Sequence, residues 1–286
     1  MNSPQPVVQM GKPGEHGSIE WRDMIVSTQG QRRGAVYVKY NLNSPSRSDL
    51  QVAECPTTPN IIITADNLAQ NCIAAFLDFH MTQSSSGLYM ENNWLWTADH
   101  AITIYAGRGL LDQSESGVSC LVGTAVEHHT KYQYQFTDTN TVFAGQIQTE
   151  TAYYQPPSAP LPFPYVASLD DPQFPTATVT DGNLTIPDAD GWVLRIVGSD
   201  NILGYGAGLY SFFDNYSTTC SIQGGGEICQ YRNFEVLDSS GVNVYNLNTV
   251  GTHEMIEVDG QNVAYYGDNL DGFVDAVALF RTSGSP

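Results

Sequence analysis

The sequence predicts an all-β chain of many short strands, and three observations carry that expectation. Apolar stretches rich in β-branched and aromatic residues recur, each followed by a turn of Asn, Asp, Gly or Ser. They return at a loose interval of roughly two dozen residues, without a strict repeat. No segment of ten or more residues combines a 3.6-residue apolar period with caps, so no long helix is expected. A sandwich, a propeller and a β-solenoid all satisfy this pattern. A right-handed parallel β-helix, a single-stranded solenoid, tolerates irregular coils because only its inward positions are constrained. Asn and Asp beside the turns fit it, since both accept left-handed backbone. On pattern alone the β-helix and the sandwich stand level.

In chain order, residues 1–17 are rich in Pro and Gly and read as a lead-in segment, followed by one domain over 18–286. Strands are expected at 21–26 and 34–42, where Ala35, Tyr37 and Lys39 alternate against Val36, Val38 and Tyr40. Residues 43–70 carry Pro, Ser, Asn and Asp and read as a long loop. Strands are expected again at 73–81, 87–96 and 102–105; Ser84-Ser85-Ser86 separates the first two, and a turn-rich stretch at 112–119 follows the third. Two glutamate-bearing strand segments lie within 123–155, and the Pro-rich stretch 156–175 reads as a connector and boundary. Further strands are expected at 176–179, 192–197, 202–213, 234–236, 242–246, 255–258, 262–266 and 273–280.

The 286 residues are long enough for a large core, and 41% of them are hydrophobic. Only 14% are charged, and the net charge is −19. With so few Lys and Arg, a phosphate backbone finds no counter-charge, so nucleic acid is excluded as a partner. An anionic membrane or a polyanionic polysaccharide is disfavoured for the same reason. A neutral ligand is expected, and 16 Tyr, 11 Phe and four Trp offer flat stacking surfaces.

Five cysteines leave one unpaired within the chain. Cys220 and Cys229 flank Gly224-Gly225-Gly226, and Cys55 and Cys72 flank a Pro/Asn-rich loop, so two disulfides and a free Cys120 are expected, with five reduced thiols in a cytosolic protein as the alternative. No Cys-x-x-Cys pair exists, which argues against zinc. Disulfides and the sequons Asn183-Leu184-Thr185 and Asn215-Tyr216-Ser217 fit a secreted protein. Residues 1–11 lack the apolar stretch of a signal peptide, and no run approaches the 18 apolar residues of a membrane span. If secreted, the protein has its targeting segment outside this sequence.

The chemistry centres on Glu127 and Glu150, which lie 23 residues apart. In a β-helix that is about one coil, which places them on neighbouring rungs roughly 5 Å apart at the backbone. Strict alternation from Thr141 sets Phe143, Gly145, Ile147 and Thr149 on one face and Val142, Ala144, Gln146, Gln148 and Glu150 on the other. Paired carboxylates beside aromatic rings suit glycoside hydrolysis, in which one protonates the leaving oxygen and the other activates water or attacks the sugar. The plainer alternative is two glutamates on the wet face of a strand, among 30 acidic residues.

Longer motifs separate these readings. The segments Glu127-His128-His129-x-x-Tyr132-Gln133-Tyr134-x-Phe136 and Val142-Phe143-x-Gly145-x-Ile147-Gln148-Thr149-Glu150-x-x-Tyr153-Tyr154-Gln155 closely resemble the exo-β-1,3-glucanases of glycoside hydrolase family 55. So do Asn71 to Ala75, the block from Ser84-Ser85-Ser86 to Trp96-Thr97-Ala98-Asp99-His100, Ile104-Tyr105-Ala106-Gly107-Arg108-Gly109, Gly204-Tyr205-Gly206-Ala207-Gly208-Leu209-Tyr210-Ser211-Phe212-Phe213 and Tyr245-Asn246-Leu247-Asn248-Thr249-Val250-Gly251-Thr252. The match runs over most of 9–281. It implies a parallel β-helix, no metal or organic cofactor, and hydrolysis of β-1,3-glucan from the non-reducing end with inversion. Glu150 matches the general acid, and Glu127 matches the carboxylate that positions the attacking water through a relay. Family members are longer, with two tandem β-helices and the active site in the cleft between them. This chain resembles the C-terminal half, so the N-terminal half is missing, and the stretches 40–55 and 100–102 are shorter than the family's.

Trp94, Trp96, Asp99, His128, Tyr132, Gln148, Tyr153, Tyr154 and Gln155 are the candidate sugar contacts. His128 and His129 do not make a metal pair, because neighbours on a strand face opposite ways. Gly204-x-Gly206-x-Gly208 lacks the spacing and the helix of a dinucleotide loop. Gly267 and Ala278 occupy ligand positions of a calcium loop, and no Gly-x-Ser-x-Gly is present. Two rivals remain. One is a non-catalytic β-glucan-binding β-helix. The other, a polysaccharide lyase, is disfavoured by the acidic surface and the absent calcium pattern.

Overall fold

The computed structural model describes residues 6–11, 75–97, 105–153, 165–174, 191–214, 216–222 and 227–282 in full, and some strands outside these by backbone alone. In chain order the strands are β1 (Val8–Met10), β2 (Ile19–Arg22), β3 (Met24–Thr28), β4 (Tyr37–Tyr40), β5 (Ile73–Ala75), β6 (Phe79–Met81), β7 (Ser86–Thr97), β8 (Tyr105–Asp112), β9 (Ser116–Glu127), β10 (His129–Thr137) and β11 (Asn140–Glu150). They continue as β12 (Thr178–Asp181), β13 (Leu184–Pro187), β14 (Trp192–Val197), β15 (Asp200–Tyr210), β16 (Gln230–Leu237), β17 (Asn243–Val250), β18 (Thr252–Val258), β19 (Gln261–Tyr265), β20 (Leu270–Asp271) and β21 (Val274–Arg281).

From β6 onward the chain alternates between two sheets. The first runs β6-β8-β10-β14-β16-β18 and the second β7-β9-β11-β15-β17, with every neighbour parallel. Each passage through both sheets is one coil of a parallel β-helix, and this decides between the helix and the sandwich. The pairs β10–β14 and β11–β15 bridge the Pro-rich connector, so the sheets continue across it. Val8–Met10, inside the stretch expected as a lead-in, pairs with Phe79–Met81, and Val8 and Met10 pack against the core. The far end is closed by antiparallel β19 on β18 and β21 on β17. Such reversals stop the parallel ladder from offering a further edge.

The strands of the second sheet are long because each turns a corner without breaking. Asn92, Gly123, Gln146, Gly206 and Asn246 all have positive φ, between 55° and 73°. The strand registers on either side place them on one row across β7, β9, β11, β15 and β17. One left-handed residue per coil reverses the in-out alternation. Thus Val142 and Ala144, then Ile147 and Thr149, face the core, whereas Phe143, Gln148 and Glu150 face out. The strict alternation expected over 141–150 fails at Gln146, although Glu150 ends on the outward face as expected. Inward side chains stack coil on coil, as in Leu95–Val126–Thr149–Leu209. They meet Leu110, Tyr134, Phe136, Leu194, Ile196 and Phe234 of the first sheet in one core.

The outer face of the first sheet is covered by residues 165–174. Asp171 binds Arg108, through Nε at 2.7 Å, and Lys131, at 2.8 Å, with all three side chains fully buried. Burial alone raises the Asp171 pKa, but Arg108 and Lys131 outweigh it and hold the carboxyl below its ordinary value. Leu169 closes over Leu77, Leu111, Tyr132 and Trp192. Cys220 and Cys229 form the expected disulfide and Cys120 is free. The expected Cys55–Cys72 pair lies outside the described residues.

Candidate active site

β9 and β11 each end on a glutamate, and the parallel register sets Glu127 beside Glu150. The expectation of neighbouring rungs is met. The same row continues to Trp96 on β7 and Tyr210 on β15, so the order across the sheet is Trp96, Glu127, Glu150, Tyr210. One step back along the same face lie Trp94, Ala125, Gln148 and Gly208. Trp94 and Trp96 stack with centroids 4.6 Å apart, on an outward face and half-buried. On the opposite flank the Tyr210 ring lies over Gly208, where an added Cβ would come within 2.7 Å of it. Aromatic walls thus bracket the two carboxyls, an arrangement suited to a sugar ring.

Each carboxyl is held differently. Glu127 is buried, and its Oε2 accepts the Trp94 indole N–H at 2.8 Å. Burial, and then the charge of Glu150, raise its pKa, while His128, Trp94 and Gln148 act in the other direction. Glu150 is more open, with 28% of its side chain exposed, and its Oε2 meets Nε2 of His128 at 3.2 Å. His128 sits between β9 and β10 with φ 69° and is 2% exposed. Its Nδ1 lies 3.2 Å from the Thr97 carbonyl, and its backbone N–H donates to the Glu150 carbonyl at 2.8 Å. Tyr153 packs on the imidazole with centroids 4.0 Å apart and is itself covered by Phe213 and Tyr216.

These placements revise several expected sugar contacts. His128 and Tyr153 are buried, the imidazole meeting the Glu150 carboxyl and Tyr153 packing on the imidazole, so neither offers an open face. Tyr132 is fully buried on the first sheet against Leu77, Leu111 and Trp192, away from the pair, and is not a sugar contact. Trp94, Trp96 and Gln148 do share the outward face with the glutamates. Asp99, Tyr154 and Gln155 lie outside the described residues. His129 turns away to Asp78 at 2.8 Å and to Gln133, as opposite-facing neighbours should. Sequence reasoning missed Tyr210, Phe213 and Tyr216 as site residues. The register brings Tyr210 beside Glu150 across a 60-residue excursion, and no local spacing signals that.

One potential donor atom from each of Glu127, His128 and Glu150 lies within 4.8 Å of the others. The indole and the imidazole already engage both carboxyls, so the convergence reads as a proton network. It also brings an oxygen of each glutamate within 4.8 Å of the other. That is shorter than the roughly 6.5–9.5 Å by which an inverting acid and base are separated across a water.

No protein-family model matches the chain. It is 39% identical, over 94% of its length, to a protein of Cochliobolus carbonum named glucan 1,3-beta-glucosidase, and spans 35% of that protein. It is 35% identical, over 98% of its length, to a probable glucan endo-1,3-beta-glucosidase of Arthroderma benhamiae, of which it spans 33%. A protein of Penicillium expansum named non-secreted LysM effector LysM15 is 32% identical over 99% of the chain, which covers 20% of that protein. The chain thus spans about a third or less of these relatives.

Proposed function

We propose, for a chain homologous along nearly its whole length to one part of the fungal glucan 1,3-beta-glucosidases, that it carries the proton-donating wall of a site that hydrolyses β-1,3-glucan. The first two relatives bear out the resemblance to the family 55 glucanases. The observation that carries the reading is the in-register pair Glu127–Glu150, flanked by Trp96 and Tyr210 on an outward face. Glu150 is the more open of the two and acts as general acid, giving its proton to the glycosidic oxygen as the bond to C1 breaks. Water attacks C1 from the opposite side of the ring, which yields inversion. At that spacing Glu127 reaches the water through a relay rather than directly. Glu127, with its raised pKa, is the stronger base for the relay when ionised. Trp94, Trp96 and Gln148 contact the sugar, and attack proceeds from the non-reducing end. The Cys220–Cys229 disulfide fits a secreted protein.

Glu150→Gln tests this reading. Glucose release from laminarin should fall by about 10²–10⁴-fold while laminarin binding stays within a few-fold. Unchanged release by the mutant would sink the assignment. The close carboxyl spacing favours one alternative, a glucan-binding β-helix without turnover. Its signature is laminarin binding with no glucose released and no difference between wild type and Glu150→Gln.

A further inference from the structure

We infer that His128 is a positioning residue that shares a single proton with Glu150, so the fold itself keeps the proposed acid loaded. This extends the reading of Glu150 as general acid, but it stands on hydrogen-bond polarity alone. The Thr97 carbonyl can only accept, so the His128 Nδ1 beside it at 3.2 Å carries a hydrogen. In a neutral imidazole Nε2 is then a bare acceptor. Nε2 nevertheless lies 3.2 Å from the Glu150 Oε2, and an ionised carboxylate is also only an acceptor. Two acceptors at that distance need one proton between them. Either the Glu150 carboxyl O–H donates to Nε2, or an imidazolium Nε2–H donates to the carboxylate. Both states hold the same count.

The geometry is fixed from several sides. His128 occupies the left-handed region, with φ 69°, which a non-glycine residue adopts only when its surroundings hold it there. Its own N–H is tied to the Glu150 carbonyl, so ring and acid are fastened at both backbone and side chain. Tyr153 packs on the ring at 4.0 Å and Phe213 meets it edge-on at 6.3 Å. Among the described residues, the groups that face the imidazole include the Thr97 carbonyl from β7, Glu127 from β9, Glu150 from β11 and the Tyr153 phenol ring. Asp78 is engaged by His129.

In turnover the shared proton passes from Glu150 to the leaving oxygen as the C1–O bond breaks, leaving a carboxylate beside a neutral His128. The attacking water delivers OH to C1 and its second proton to the relay. The pair then regains one proton from solvent.

Nitrogen NMR of the histidine rings in the folded chain tests this without substrate, and so independently of whether Glu150 catalyses anything. The His128 ring should carry hydrogen on Nδ1 across the neutral range. Its upper titration midpoint should fall by at least about one pH unit in Glu150→Gln, because the amide brings no ionisable proton to share. An Nε2–H tautomer with bare Nδ1 in the wild-type chain, or a midpoint that does not move in the mutant, would overturn the inference. Should Glu150→Gln not fold, the wild-type tautomer decides alone.

Discussion

The indole of Trp94 reaches across a coil to a buried carboxyl, so a tryptophan expected to face sugar also governs Glu127. A hydrogen bond to the ionised form stabilises it, which opposes the upward push of burial and of Glu150. Trp94→Phe keeps the ring and removes the N–H. The Glu127 midpoint, followed by carboxyl carbon NMR, should therefore rise further; an unchanged midpoint would count against the bond. The pairing of Glu127 with Glu150 was legible in the sequence because a 23-residue separation matches one coil, and the structure realises it in register. Tyr132 was not legible as core. Every residue of β10 is buried, on both faces, because residues 165–174 cover the outer side through Leu169 and Asp171. Nothing within 129–137 announces a cover that begins only at residue 165.

At the scale of the element, the left-handed row from Asn92 to Asn246 sets where each strand of the second sheet turns. It thereby decides that Glu127 and Glu150 face out. Asn and Gly on that row agree with the expectation that Asn marks turns; Gln146 does not, and the missed kink is why the expected faces were wrong. Gly206 has φ 73°, and a Cβ there would meet the Gln146 amide at 3.0 Å. Gly206→Val should cost about 1–3 kcal/mol in urea unfolding, since a β-branched residue tolerates the left-handed region poorly. Asn246→Gly, at the same level of the ladder, should cost much less. Equal losses would mean that the row does not set the corner.

The closing end of the helix carries its own titration. Glu227, which accepts the Gly251 N–H, is pushed up to about 7 by burial and then by Asp275. Asp275, on β21, is pushed up to about 6 by burial. Both folded values lie above the ordinary 4.5 and 3.8, so the folded state holds these protons more tightly than the unfolded chain. The stabilisation is full below about pH 4 and is lost as pH rises through about 6 and 7. The melting temperature should fall between pH 5 and pH 8, and Glu227→Gln should flatten part of that slope. A slope unaffected by the mutation would remove Glu227 from the account.

Across the whole molecule, a parallel β-helix lines up one outward row per strand position, and coil-to-coil register turns residues distant in sequence into a continuous site. Trp96, Glu127, Glu150 and Tyr210 make such a row. The all-β class and the one-coil spacing of the acid pair were readable from a loose local period, whereas the β-helix was preferred to the sandwich only through the resemblance. The aromatic wall at Tyr210 was not readable, because the excursion before β14 breaks that period. The most direct measurement is glucose release from laminarin by the purified, folded chain, with polarimetry to follow the anomer. α-Glucose should be released by the wild-type chain and lost in Glu150→Gln. A folded chain that binds laminarin and releases nothing, or a mutant as active as the wild type, would contradict this reading.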